Sequence, residues 1–124
     1  MAPERIFFAG GSILALIAVA AGAFAAHGLK ARIGADALAT FELAARYQMY
    51  HALALTLCAF AWTRWPGPAV ALAALLFFVG ILLFCGSLYV LSLTGVRWLG
   101  AVTPLGGTAW LLGWGALAWA AVKY

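Results

Sequence analysis

Charge is what this sequence has least of. Among its 124 residues there are seven Lys and Arg and only three Asp and Glu, 8% in all, while 68% are hydrophobic. A soluble domain carries about 25% charged residues because it must clothe its surface for water. Ten charges cannot do that here, so lipid is the solvent over most of the surface, and the length suits one domain. The basic residues form no run, which excludes a nucleic-acid patch. Cysteine is nearly absent too. Cys58 and Cys85 both sit in apolar stretches, so they indicate neither a disulfide framework nor a redox compartment.

Motifs of catalysis are also missing. There is no HxxxH, CxxC or HExxH spacing for a metal, no phosphate loop, and no GxSxG around Ser87. The acids Glu4, Asp36 and Glu42 lie near or outside the ends of the apolar runs. No catalytic residue, metal site or cofactor is expected, and the first reading is a non-enzymatic protein.

What is present is length without charge. Residues 6–26, 65–96 and 98–122 carry none. Each reaches the roughly 20 residues that a helix needs to cross about 30 Å of hydrocarbon. A membrane barrel would alternate apolar and polar residues, and AVALAALLFFVGILLF does not. Arg5, the apolar run and Ala23-Phe24-Ala25 resemble a secretory signal. The run exceeds the roughly 7–15 residues of such a core, so it reads as a membrane helix.

The expected fold is all-α: an integral membrane bundle of four transmembrane helices forming a single domain over residues 1–124. The spans fall at about 6–26, 44–62, 69–93 and 98–122. His27-Gly28 should end helix 1, with Gly28 as left-handed terminator. Gly11, Ala15, Ala18, Gly22 and Ala25 form a stripe of small residues for close packing. On that basis Gly22→Leu should destabilise the bundle. Helix 2 begins near Asp36, so an amphipathic N-terminal part extends it beyond the bilayer. Pro104 with Gly106-Gly107 should distort helix 4. Trp110 and Trp114 read as lipid-facing, with an oligomer interface as the alternative, and Trp119 as an interface anchor. Lys and Arg divide almost evenly between the two sides, so orientation stays open.

The polar residues of the spans collect at one membrane side, because alternate helices reverse direction. Polar groups in lipid cost several kcal/mol when unpaired, so they should turn inward. The expected result is a pocket lined by His27, Tyr47, Gln48, His51, Ser87, Tyr89 and Thr103, with Arg46 and Arg97 at its rim. A neutral imidazole there would offer one donor and one acceptor. Mutual pairing of these groups is the plain structural alternative to a ligand site.

The same residues carry a resemblance. GAFAAHGL at 22–29, YQMYHALAL at 47–55, GSLY at 86–89 and TPLGG at 103–107 resemble the DUF423 family. These small four-helix membrane proteins include the bacterial YgdD-type proteins and a eukaryotic relative, transmembrane protein 256. Ala25 stands where Gly is commoner, and Cys85 where Ser is usual. The resemblance implies a multi-pass protein of unassigned activity in the cell membrane, the bacterial inner membrane or its mitochondrial descendant. Its partners would be the lipid bilayer and a membrane protein or a homo-oligomer, with no nucleic acid. A ligand-binding or complex-supporting role comes first. A protomer of an oligomeric transporter or channel is the alternative, and a His-based metal or redox protein using His27 and His51 is third.

Overall fold

The structure, a computed structural model, describes residues 1–123. Helix α1 spans Pro3–Phe24, α2 Ala35–Arg64, α3 Pro68–Gly80, α4 Gly86–Thr94 and α5 Thr103–Lys123. Among the described residues the regular elements are all helical. They make four rods, because π-helical turns extend α1 (Ala25–Leu29) and join α3 to α4 (Ile81–Cys85).

Local chemistry sets the ends. Pro3 and Pro68 stand in the first turns of α1 and α3, where a missing N–H has no cost and a fixed φ helps. Gly67, at φ 152°, turns the chain between α2 and α3 in a region closed to other residues. Gly95 is the left-handed cap of α4, its N–H donating to Leu91 O at 2.8 Å. Gly28 is no such cap. Its φ is not positive, and the first rod runs on through the π turn to Leu29. Pro104 does mark a break, since a 3₁₀ turn at Arg97–Ala101 precedes it. It lies in the first turn of α5, so it starts a helix rather than kinking one.

The rods Pro3–Leu29, Pro68–Thr94 and Arg97–Lys123 are each long and apolar enough to cross a membrane. Helix α2 is longer than any of them but more polar, with Asp36, Glu42 and Gln48 in its first half and His51 just past its midpoint. It is also the hub of the bundle, packing on α1, α3, α4 and the second π turn. Its N-terminal part is amphipathic: Phe41, Ala44 and Ala45 are buried while Glu42 and Arg46 are exposed.

Small residues seven apart form the two closest seams. On the first rod, Gly11 and Ala18 of α1 and Ala25 of its π turn are buried. A Cβ on Gly11 would lie 2.7 Å from Ala52 O. On α5, Gly106, Gly113 and Ala120 are buried facing α3 and its π turn. Gly22 is not in the seam. Nothing lies within 4 Å of where its Cβ would stand, so the destabilisation expected of Gly22→Leu has no cause inside the protomer. At 100° per residue, Gly22 has rotated past the contact line that Ala18 and Ala25 hold.

Candidate functional site

The inward polar residues are held in three hydrogen-bonded links rather than around one pocket. Gln48 of α2 donates from Nε2 to Leu14 O of α1 at 2.8 Å and accepts from the Tyr89 hydroxyl of α4 at 2.7 Å. One amide thus ties three helices. Ser87 and Thr103 share a bond of 2.7 Å between α4 and α5. His51 forms the third link. Its Nδ1 lies 2.9 Å from Tyr47 O, which can only accept, so Nδ1 carries the proton. Its Nε2 then accepts from Trp114 Nε1–H at 3.2 Å. Both ring nitrogens are engaged, leaving no lone pair for a metal ion.

Trp110 is the centre of this region. It is 4% exposed, against 41% for Trp114, so the expected lipid-facing pair is split. Its ring lies flat on His51, centroids 3.7 Å apart and planes within 1°. Phe84 stands at 4.5 Å and Tyr47 at 6.0 Å. The indole N–H donates to Phe77 O at 3.2 Å. Gly80 makes the room, since a Cβ there would collide with the indole. Interfacial preference governs a Trp that has no inward space. This one has that space and a carbonyl to meet.

His27 does not join the others. It is exposed on the π turn Ala25–Leu29, with no hydrogen-bond partner among the described residues. At the end of a span an imidazole can meet headgroups and water, so the cost that would drive it inward is absent. Arg46 and Arg97 are likewise exposed, and they are not drawn together over a common opening. Of the expected lining, Tyr47 and His51 border an open cavity. Gln48, Ser87, Tyr89 and Thr103 serve as ties. Among the described residues every buried side-chain N and O atom has a partner.

The cavity is a groove of about 450 Å³ on the flank between α2 and α5. Tyr47, His51, Phe84, Trp110 and Trp114 supply its aromatic walls, with Pro104, Gly107, Thr108 and Leu111 along α5. The hydroxyl of Thr108 is used on Pro104 O at 2.9 Å. That of Tyr47 has no partner among the described residues. Trp110, Trp114, Phe84 and Gly107 were not foreseen as part of any site. A signal existed: positions 106, 113 and 120 repeat small residues every seven, and Trp110 lies on that same face.

Comparison with known proteins places the chain among membrane proteins of unassigned activity. The family model described as a protein of unknown function (DUF423) matches residues 21–107. The UPF0382 membrane protein YwdK of Bacillus subtilis is 46% identical over 121 residues, 97% of this chain and 98% of the relative. UPF0382 membrane proteins of Staphylococcus epidermidis and Staphylococcus aureus are 41% and 42% identical, each over 97% of this chain and 98% of their own length. No solved structure matches.

Proposed function

The chain belongs to the DUF423 family of membrane proteins, and on that footing we propose a non-enzymatic, four-span protein of the bacterial inner membrane that holds a lipid-like ligand in the groove between α2 and α5. The carrying observation is the groove itself. Its walls are aromatic, and one end offers the unpartnered Tyr47 hydroxyl. Tyr47 follows the exposed Arg46, so this end lies toward a membrane surface, while His51 and Trp114 lie deeper. A headgroup or carbonyl would meet the hydroxyl, and a chain would run over the rings. No carboxylate lines the groove, and both nitrogens of His51 are committed, so the Tyr47 hydroxyl is left without a partner base, which supports binding over catalysis.

The fourth span in this reading is α2. At 30 residues it is about 45 Å long. Its Gln48 and His51 are buried against protein, and the exposed Asp36, Glu42 and Arg46 lie toward its N-terminal end, where a membrane surface would meet them. The connections at 30–34 and 65–67 are short, so consecutive rods must run back to back. Reporter fusions at the C-terminus and after Ile33 are expected to give opposite compartments. Matching readings would rule α2 out as a span.

Gly107→Leu tests the groove. A Cβ at Gly107 meets nothing within 4 Å, so the new side chain fills groove space without disturbing the protein. Native mass spectrometry of the protein released from mild detergent is expected to show retained lipid reduced about tenfold, equivalent to ~1.4 kcal/mol. Tyr47→Phe should lower retention about two- to tenfold, the worth of one hydrogen bond. Thermal stability should hold in both variants. Unchanged retention in both variants would remove the groove as a binding site.

A further inference from the structure

The groove between α2 and α5 is one half of a longer cleft. On the same flank lies a second cavity of about 310 Å³, bordered by Leu57, Phe60 and Trp65 on one side and by Leu117, Ala118 and Ala121 of α5 on the other. Trp114 stands in the wall of both cavities. Its indole bridges the cleft there, donating to His51 Nε2 at 3.2 Å. Along α5 the lining recurs every three or four residues from position 104 to position 121, about 26 Å of helix. The hydrocarbon core is about 30 Å thick, and an acyl chain held in one leaflet covers only half of it. The cleft therefore has the length of a chain that passes the midplane.

The wall describes the head of such a ligand as well. Among the described residues no Lys, Arg, Asp or Glu borders either cavity. Arg46, next in sequence to Tyr47, borders the cavity between α1 and α2 instead, together with Glu42. A phosphate beside Tyr47 would thus lack the cation that a charge at this depth requires, so the head is uncharged. The polar group on offer is the unpartnered Tyr47 hydroxyl, which can donate to a carbonyl. The rings around it are aligned. Tyr47 makes interplanar angles of 20° with His51, 27° with Phe84 and 21° with Trp110, at centroid distances of 6.4, 5.4 and 6.0 Å. Rings so oriented favour a further flat ring in offset stacking, which a glycerol ester does not supply.

The geometry points to a prenylquinone as the ligand, an uncharged carbonyl-bearing ring on a long isoprenoid chain, an assignment that rests on the groove being the binding site. The ring lies beside Tyr47 with a carbonyl oxygen accepting from its hydroxyl, and the chain passes Trp114 toward Trp65. Decylubiquinone tests the ring, since its short tail ends near Trp114. Quinones quench indole emission on contact, and Trp110 and Trp114 border the groove. With the full-length protein in phosphatidylcholine nanodiscs, quenching is expected to saturate as the mole fraction of decylubiquinone rises. Gly107→Leu should raise the half-saturating fraction about tenfold, and Tyr47→Phe about two- to tenfold. Diolein, which has carbonyls but no ring, should not displace the quinone. Ubiquinone with its full isoprenoid tail should bind about threefold tighter through packing along the far cavity, and Ala118→Phe should remove that advantage. Quenching that rises linearly and equally in the wild type and Gly107→Leu overturns the assignment. If Gly107→Leu then still releases retained phospholipid, the groove stands as the site of a different lipid; if it does not, the groove falls as well. Displacement by diolein at equal mole fraction, or a full tail that gains nothing, also overturns the assignment.

Discussion

Trp110→Ala is expected to cost about 2–4 kcal/mol of stability, somewhat below the ~3–5 kcal/mol of the same truncation in a water-soluble core. The difference follows from the solvent. In lipid the unfolded helices bury their apolar surface too, so the transfer part of the loss falls away and the cavity part stays. That part is large here. The indole is the floor on which His51 lies and a neighbour of Phe77, Phe84 and Tyr47, and its removal leaves all four facing a void. The lost hydrogen bond adds little, because Phe77 O still has the N–H of Ile81. Denaturant or thermal unfolding in detergent measures the effect, with Trp110→Phe expected to recover about half by refilling the space. Wild-type stability in the alanine variant would mean that the ring is not the packing centre of α5.

Gly106→Leu should be comparably harmful for the opposite reason. A Cβ there would collide with the backbone N of Phe84 and lie 2.9 Å from Gly80 O. Backbone inside a helix cannot yield as a side chain does. Helix α5 must therefore back away from α3 and the π turn, and the Ser87–Thr103 bond three residues along has to open with it. Overpacking costs typically ~1–3 kcal/mol, and this site belongs at the top of that range or above it. The next residue provides the control. Gly107→Leu adds the same atoms to the same turn of helix but points into the open groove, so it should change stability by less than ~0.5 kcal/mol. If both variants unfold at the same temperature, the α5 seam is not as close as described.

The rods were legible because bilayer thickness prescribes their length. Uncharged runs at 6–26, 65–96 and 98–122 each lie within one rod or just overlap its ends. Helix α2 was legible as a helix, with its exposed Glu42 and Arg46 opposite a buried Phe41 and Ala45. Of its polar residues Gln48 and His51 turn inward, since lipid exacts a cost for the alternative, while Arg46 and Tyr50 stay exposed. The same rule misplaced His27, because it applies to hydrocarbon and not to the ends of a span. For Trp110 a general interfacial preference was set against a specific vacancy, and the vacancy lay at a glycine of another rod, Gly80. Contacts of that sort depend on which rods are neighbours, which periodicity along one chain does not report. The stripe on α1 was half right for a related reason. Gly11, Ala18 and Ala25 keep a seven-residue repeat, whereas Gly22 belongs to a four-residue step that turns off the line. Neither π turn leaves a mark in composition.

The turn at Ile81–Cys85 nonetheless decides what α4 can touch. A π turn accommodates one residue more than an α-helical turn would, so it shifts the angular phase of everything after it by about 100°. The rod that holds α3 and α4 is therefore continuous as a cylinder but discontinuous as a pattern. Before the turn, Phe77 and Gly80 address α5; after it, Tyr89 addresses Gln48 on α2 while Ser87 reaches Thr103 on α5. The inserted residue works as a phase shifter, letting one rod meet the same two neighbours, α2 and α5, with different residue spacings on either side of a single point.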